Sequence, residues 1–335
     1  MDLGGRLTPV HPPDTVPQHA RNPDPARMVA MSSREDPTGR QFSLRSASGR
    51  ATATVAQVGA SLRHVAVGGV DVVPPYPHGG PTPAASGIVL VPWPNRVRDG
   101  RWTQRGETRQ LALSEPALGN ASHGLLRFAP FEPVELSDAA AALGARVYPQ
   151  TGYPFHLDVT IRYTLHDDGL DVTHSITNLG DDDAPVALGQ HPYLCIGDAD
   201  ASDLVLRSPG ATFIRTDERK LPTGRAAVDD ATDLRAGRRL GDLDLDTAYT
   251  DLARDADGRV RTSLSAPDGR RITLWQGAGF DYVQVFTTDR YPGRSLAVAV
   301  EPMTAPADAF NSGDGLRWLV SGENWTTGWG LEWQL

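Results

Sequence analysis

Three observations predict an all-β fold, organised as a large antiparallel β-sandwich. The chain of 335 residues contains 34 glycines and 27 prolines, well above the roughly 12% that these two residues make up in an average protein. Both residues are unfavourable inside helices and common in turns, so the composition indicates a chain with many turns. In addition, apolar residues alternate with polar ones over several segments, and only two short segments are typical of helices.

The alternation is clearest over residues 155–165, where six apolar side chains are separated by single polar or charged residues. Such a period of two predicts a strand with one buried and one solvated face. The turn sequence Asp167-Asp168-Gly169 and a second alternating segment over 172–177 follow, which predicts a β-hairpin. A second hairpin is predicted from residues 260–264 and 272–275, and further strands are predicted near 52–58, 62–67, 87–91, 186–191, 282–287 and 295–301.

Two segments favour a short helix, the alanine-rich residues 138–145 and the charged residues 226–240. Residues 1–37 hold seven prolines and no aromatic side chain, and a segment of that composition does not bury enough surface to offset the entropy of ordering it. We therefore expect residues 1–38 to form a disordered, proline-rich N-terminal extension. No linker divides the remainder, so residues 39–335 are expected to fold as one β-sandwich domain.

The charge and the cysteine content exclude several classes of protein. The formal net charge is −9, and Lys220 is the only lysine among 32 basic residues, which argues against binding to nucleic acid or to an anionic membrane. Cys195 is the only cysteine, so the chain forms neither an internal disulfide nor a multi-cysteine metal centre.

Sequence motifs for metals, nucleotides and membranes are also missing. The sequence contains no histidine pair with metal-ligand spacing, no P-loop and no dinucleotide-binding glycine motif, so we expect neither a metal nor any other cofactor. No apolar run is long enough to span a bilayer and no signal-peptide core is present, which predicts a cytoplasmic protein.

Two predicted strands end in a titratable residue followed by proline. One carries Glu301 before Pro302, and the other carries His191 before Pro192. On each strand the residues that share this face are alanine or glycine, which leaves room for a ligand above the sheet. Proline denies the next hydrogen bond of the ladder, so we expect both strands to end there. A carboxylate and an imidazole over a shallow floor suit general acid–base catalysis.

Five segments taken together resemble the aldose 1-epimerases, the galactose mutarotase family. They are GIVLVPWPNRVRDG (87–100), NASHGLLRFAPFEP (120–133), LGQHPYLCIG (188–197), LDLDTAYTDL (243–252) and EPMTAPADAFNSG (301–313). All five occur in the order found in that family, and the resemblance covers residues 40–335. Their form is similar to that of a bacterial subgroup that includes a sulfoquinovose mutarotase.

The resemblance implies the supersandwich fold of that family and an isomerase that interconverts the α and β anomers of a hexose. It implies that Glu301 is the catalytic base and that His191 is the catalytic acid. The substrate-binding residues it implies are Arg96, His123 and Asp246. The implied partner is a small-molecule sugar, and the protein would act as a monomer or a homodimer.

The sequence departs from the galactose enzymes beside these residues. The departures are Gly124-Leu125 in place of two glycines, Gln190 in place of an asparagine, and Pro302-Met303 in place of a polar pair. The acid and the base are unaffected, but the identity of the hexose stays open. Arg127 follows His123 by four residues and could face an anionic group, although a charged loop residue is the simpler interpretation.

Three alternative functions stay open at this point. A hexose-6-phosphate 1-epimerase would share the acid and the base but needs an arginine cluster for the phosphate. A glycoside hydrolase needs two carboxylates, and only Asp246 could accompany Glu301. A non-catalytic carbohydrate-binding β-sandwich would explain the sheets, but it gives no reason for an acid and a base at matching strand ends.

Overall fold

Two large antiparallel sheets dominate the computed structural model, which describes Met1 and residues 35–335. Strands are numbered in chain order. The nine-stranded sheet contains, from edge to edge, β10 (Glu132–Leu136), β11 (Ala140–Val147), β12 (Leu157–Leu165), β13 (Gly169–Asn178), β27 (Asn324–Gln334), β23 (Arg271–Gln276), β22 (Val260–Ser265), β17 (Val205–Arg207) and β20 (Arg238–Arg239).

The second large sheet has eight strands and carries the residues of interest for function. It contains β19 (Pro222–Ala227), β18 (Gly210–Thr216), β21 (Asp246–Leu252), β24 (Tyr282–Thr288), β25 (Ala297–Met303), β15 (Gly189–Gln190) and β5 (Val89–Leu90), with β16 (Tyr193–Leu194) also paired to β25.

Smaller sheets and short helices complete the fold. A four-stranded sheet contains β1 (Gln41–Arg45), β2 (Ala51–Ala56), β3 (Ser61–Val67) and β4 (Val70–Val73). The paired strands are β6 (Arg96–Arg98) with β9 (Asn120–Ser122), β7 (Arg101–Gln104) with β8 (Glu107–Gln110), and β14 (Ala184–Val186) with β26 (Arg317–Leu319). One α-helical turn, α1, spans Ala309–Ser312, and 3-10 turns span Pro83–Ala85, Ala201–Asp203 and Leu240–Asp242.

The two large sheets pack face to face as the predicted β-sandwich, through the buried side chains that alternate along their strands. On β12 every second residue from Leu157 to Leu165 is buried, and the residues between them are half-exposed. Val159 and Ile161 of this strand belong to the same apolar core as Val283 and Val300 of the eight-stranded sheet. The core therefore lies between the two sheets, since each contributes one apolar face to it.

Both predicted helices are wrong. Residues 140–147 form β11, which pairs with β12 along its whole length and with β10 on the other side. A position inside a nine-stranded sheet outweighs the helix propensity of alanine. Residues 226–240 contain the end of β19, two turns and β20. Asp229 accepts hydrogen bonds from the backbone of Ala231 and Thr232, a local alternative to helical bonding that acidic side chains offer.

The strand ends also differ from the prediction. β25 continues through Pro302 to Met303, because Pro302 lies opposite Val283 within the ladder. The predicted strand over 186–191 is divided into β14 and β15, and the latter ends at Gln190. Pro192 lies between β15 and β16, where its carbonyl accepts a hydrogen bond from the backbone of Val300.

Most of the predicted N-terminal extension, residues 2–34 of 1–38, lies outside the described residues. The compact unit begins at Asp36. The Asp36 carboxylate accepts hydrogen bonds from the backbone and the hydroxyl of Thr38, which is buried. Within the described part of the chain, no helix has both the length and the apolarity that crossing a membrane requires.

Candidate active site

One cavity of about 670 Å³ brings together all five residues that the sequence singled out. Its lining includes Glu301, His191, Arg96, His123 and Asp246. These residues lie far apart in the chain, so their convergence depends on the packing of the eight-stranded sheet against the connections that cover it.

Three neighbouring strands place the acidic residues on this sheet. Glu301 on β25 lies opposite Gln284 on β24, and Asp246 on β21 lies opposite Phe286 on β24. Gln284 and Phe286 both line the cavity, which follows from the period of two along a strand. The amide of Gln284 donates a hydrogen bond of 2.7 Å to Oδ1 of Asp246. The sheet thus fixes the spacing of the two carboxylates through its register.

Glu301 and His191 are in direct contact. Oε1 of Glu301 lies 3.2 Å from Nε2 of His191, and both residues are almost fully buried. Burial raises the pKa of Glu301 well above its ordinary value, and the negative charge of Asp246 raises it further. Burial also lowers the pKa of His191 to about 4. Because burial disfavours both charged forms, the two groups share a single proton over the pH range between their two titrations.

The small side chains beside Glu301 do not serve as a floor for a ligand. Ala297 and Ala299 pack against the rings of Tyr193 and Tyr291, and neither alanine lines the cavity. Tyr193 also stacks on the imidazole of His191, with ring centroids 5.3 Å apart and planes at 29°. The alanines therefore make room for the tyrosine that packs on the imidazole of His191.

The β6–β9 pair positions Arg96 and His123. Arg96 lies opposite Ser122 in this ladder, and His123 follows directly. The backbone N–H of His123 donates to the carbonyl of Asn95 at 2.8 Å. Asn95 and His123 have φ angles of 55° and 62°, a left-handed conformation that costs energy for residues other than glycine and is concentrated at functional sites. The ring of His123 meets that of His191 edge to face at 5.7 Å.

Two ion pairs hold charged side chains that lie near Glu301 and His191. The guanidinium of Arg96 forms a bidentate pair with Glu115, with N–O distances of 2.7 and 2.9 Å. Burial opposes the charge of Arg96, but the contact with Glu115 and the negative charges of Asp246 and Glu301 together raise the pKa of Arg96. On the other side, Nζ of Lys220 lies 3.4 Å from Oδ2 of Asp246. Each side chain is thereby held in a defined orientation.

Sequence reasoning missed Gln284, Glu115 and Lys220. Gln284 could have been found, because it lies on the predicted strand 282–287 with the alternation of a cavity-facing residue. Glu115 and Lys220 lie in connections between strands, where no periodic pattern places a side chain. Arg127, for which a charged loop residue is the simpler interpretation of the sequence, does line the cavity, and burial lowers its pKa.

The Gln190 departure from the galactose enzymes does not reach the cavity. Its side chain lies in the core between the sheets, where it is hydrogen-bonded to Gly87, Tyr163 and Trp329.

The arrangement of the cavity itself can move a proton to and from a bound polar group at two points, through Glu301 and His191. Among the described residues, no group of three or more His, Cys, Asp or Glu side chains is arranged to hold a metal ion.

Comparison with known proteins shows which sequences and structures this chain is similar to. The uncharacterized protein YihR of Escherichia coli (strain K12) is 30% identical over 288 residues, which cover 85% of this chain and 91% of YihR. The structure of a GalM/aldose epimerase homologue from C. elegans has a TM-score of 0.75 at 17% identity, covering 88% of this chain and 98% of that one. The galactose 1-epimerase from Lactobacillus acidophilus NCFM has a TM-score of 0.71 at 20% identity, covering 85% and 91%.

These two structures share the fold of this chain, and the alignment with YihR covers most of both chains. Residues 40–331 match the family model for aldose 1-epimerase, which is most of the chain. The chain therefore belongs to the aldose 1-epimerase family.

Proposed function

We propose that this protein is a mutarotase that interconverts the α and β anomers of a hexose. The observation that carries the proposal is the buried contact of 3.2 Å between Glu301 and His191 in a cavity of about 670 Å³. Arg96, His123 and Asp246 line the same cavity and would bind the sugar hydroxyls. A cavity of this size falls within the range typical of small-molecule sites and is large enough for one sugar ring.

In the proposed mechanism, Glu301 removes the proton from the anomeric hydroxyl while His191 donates a proton to the ring oxygen. The bond between C1 and the ring oxygen breaks, its electron pair stays on that oxygen, and C1 becomes an aldehyde. Rotation about the C1–C2 bond turns the other face of the aldehyde toward the oxygen. Closure then reverses both proton transfers and returns Glu301 and His191 to their starting states.

The competent pair has an ionised Glu301 and a protonated His191. This state holds the same number of protons as the neutral pair that burial favours, so it forms by moving one proton along the 3.2 Å contact. The cation of Arg96 stabilises the ionised form of Glu301. The site therefore needs no exchange of protons with solvent before it reacts.

The test is polarimetry on freshly dissolved α-glucose and α-galactose. Glu301→Gln keeps the size of the side chain, and His191→Asn replaces the ring by a smaller polar amide. Each removes the proton transfer of its residue and is expected to lose about 10²–10⁴-fold in kcat. Glu132→Gln is the matched control, because Glu132 is an exposed glutamate on β10 that pairs with Arg40. Mutarotation by Glu301→Gln at the rate of the wild type would refute the assignment of the base.

A second candidate is a 1-epimerase for hexoses with an anionic group at C6, such as a phosphate or a sulfonate. Arg127 and Arg290 both line the cavity, and neither forms an ion pair with a carboxylate in the described part of the chain. Guanidinium groups without an acidic partner are suited to phosphate or sulfonate oxygens. Anomeric-proton exchange, followed by NMR with free, 6-phosphorylated and 6-sulfonated hexoses, separates the two candidates. If the second function holds, Arg127→Met should slow the exchange of the anionic hexoses only.

The two remaining alternatives have less support. In a glycoside hydrolase, Asp246 would have to act as the second carboxylate, but both of its oxygens are already engaged by Gln284 and Lys220. Release of phenol from aryl glycosides would support hydrolysis. A non-catalytic module would bind sugars without accelerating anomerisation, which the same NMR experiment would reveal.

A further inference from the structure

The only lysine of the chain contacts the candidate site from outside the eight-stranded sheet. Lys220 lies in the turn between β18 and β19. Its Nζ is 3.4 Å from Oδ2 of Asp246, and its side chain is 43% exposed. Every other basic side chain of the protein is an arginine. A flexible ammonium group therefore stands at the one carboxylate that is expected to bind sugar hydroxyls.

The turn that carries Lys220 is held in place by its neighbours. The carboxylate of Asp217 accepts hydrogen bonds from the backbone of Arg219 and Leu221. The guanidinium of Arg219 donates to the carbonyls of Leu118 and Gly119, at 2.9 and 3.0 Å. These carbonyls directly precede β9, the strand that leads to His123. The turn is thus docked onto the same ladder that positions the sugar-binding histidine.

Asp246 has a different partner for each of its oxygens. Gln284 donates to Oδ1 at 2.7 Å, and Lys220 is the partner of Oδ2. Gln284 fixes the orientation of the carboxylate but does not compensate its charge, because an amide is neutral. Lys220 does both. Asp246 is only partly buried, so sugar hydroxyls can still reach its oxygens.

We propose that Lys220 is a positioning residue of the active site, which orients Asp246 toward the sugar and compensates its charge beside Glu301. The proposal rests on the mutarotase function proposed above. The charged or titratable groups that face Glu301 are His191, Asp246, Arg96, His123, Arg127 and Tyr193. Lys220 contacts none of them except Asp246, and its influence on the reaction therefore passes through that carboxylate.

Loss of the ammonium group has two expected consequences. In Lys220→Met, Asp246 is held by Gln284 alone, and KM is expected to rise about two- to fivefold, the size typical of a half-exposed ion pair. The uncompensated charge of Asp246 also makes protonation of the Glu301–His191 pair more favourable. Both limbs of the profile of kcat/KM against pH should therefore move to higher pH. Lys220→Arg keeps the positive charge and is expected to leave the profile in place.

The matched control is Arg225→Met on β19. Arg225 forms an ion pair of 2.8 Å with Asp314, and the exposure of its side chain is 44%, close to that of Lys220. Arg225 does not line the cavity that contains Glu301. Its removal therefore costs an equivalent surface ion pair and should change neither KM nor the pH profile.

A chemical experiment tests the same idea on the wild type. Because Lys220 is the only lysine, amine reagents modify only it and the N-terminal amine. Acetylation removes the positive charge and should reproduce Lys220→Met, whereas reductive dimethylation keeps the charge and should preserve activity. Lys220→Arg treated in the same way shows any effect of the N-terminal amine, and it should be insensitive to both reagents.

The outcomes separate the inference from the function on which it rests. A wild type without mutarotase activity would overturn the proposed function and this inference together. An active wild type whose KM and pH profile are unchanged in Lys220→Met would overturn the inference alone. A raised KM without any shift of the pH profile would also overturn it, because it would show a structural role of the turn rather than compensation of charge.

Discussion

Gln190 offers a quantitative test of how the two large sheets are joined next to His191. Its amide nitrogen donates to the carbonyl of Gly87 at 3.0 Å and to the hydroxyl of Tyr163 at 2.7 Å. Its amide oxygen accepts from the indole of Trp329 at 3.1 Å. Gln190→Met keeps the length of the side chain and removes all three hydrogen bonds. At about 0.5–1.5 kcal/mol for each bond, the free energy of unfolding should fall by about 1.5–4.5 kcal/mol.

The structure places the expected loss in the lower half of that range, because each partner keeps another bond. The carbonyl of Gly87 still accepts from the backbone of Leu62, and the indole of Trp329 still donates to His174. No buried group is left without a partner, so the larger penalty for an unsatisfied group does not apply. We therefore expect a loss of about 1.5–3 kcal/mol, since methionine also gains some apolar burial.

Urea-induced unfolding followed by tryptophan fluorescence measures this loss, and Gln190→Met in a Tyr163→Phe background provides the control. In that background one of the three bonds is already absent, so the substitution should cost about 0.5–1.5 kcal/mol less. The ratio of kcat/KM between glucose and galactose should not change, because Gln190 points away from the cavity. An altered sugar preference, or stability equal to that of the wild type, would refute this reasoning.

Two further predictions concern pH and the backbone beside His123. The profile of kcat/KM against pH should be bell-shaped. Below about pH 4, where His191 titrates, both groups are protonated and no base remains. Above the raised pKa of Glu301, the shared proton is lost and no acid remains. Polarimetry across pH would contradict this if it gave a single limb. Gly124→Ala should destabilise the fold by at least about 2 kcal/mol, because its φ is 73° and a Cβ would lie 2.0 Å from the carbonyl oxygen of Val91. Gly258→Ala, with a φ of 79° but nothing within 4 Å, should lose clearly less in thermal unfolding.

The strands that the sequence predicts well are those in which burial alone decides the structure. The alternation over residues 155–165 reappears in β12 residue by residue, because one face of that strand is buried against the opposite sheet. The prediction of a helix in the alanine-rich segment is wrong for the converse reason. A run of alanines shows little alternation of apolar and polar residues, so the sequence does not reveal which side is buried. Local propensity favours a helix there, but the pairing of β11 with β10 and β12 makes the segment a strand.

The candidate site could be predicted in part from two kinds of signal. The pattern of two predicted strands that each end in a titratable residue followed by proline singled out Glu301 and His191, and the resemblance to a family added Arg96, His123 and Asp246. No local signal exists for the contact between Arg96 and Glu115 or for that between Lys220 and Asp246. Each joins residues that lie in different strands or connections, and only the packing of those connections brings them together.

The side chains that line the cavity come from both strands and connections. Glu301 lies within β25, and His191 directly follows β15, with its backbone bonded to Gly87 and Ile88. Arg127 and Lys220 project from connections. Under the mutarotase function proposed above, a mutant library confined to those connections would vary the surroundings of the sugar while Glu301 and His191 stay unchanged. Under that function, this separation would suit the protein to engineering toward unusual sugars.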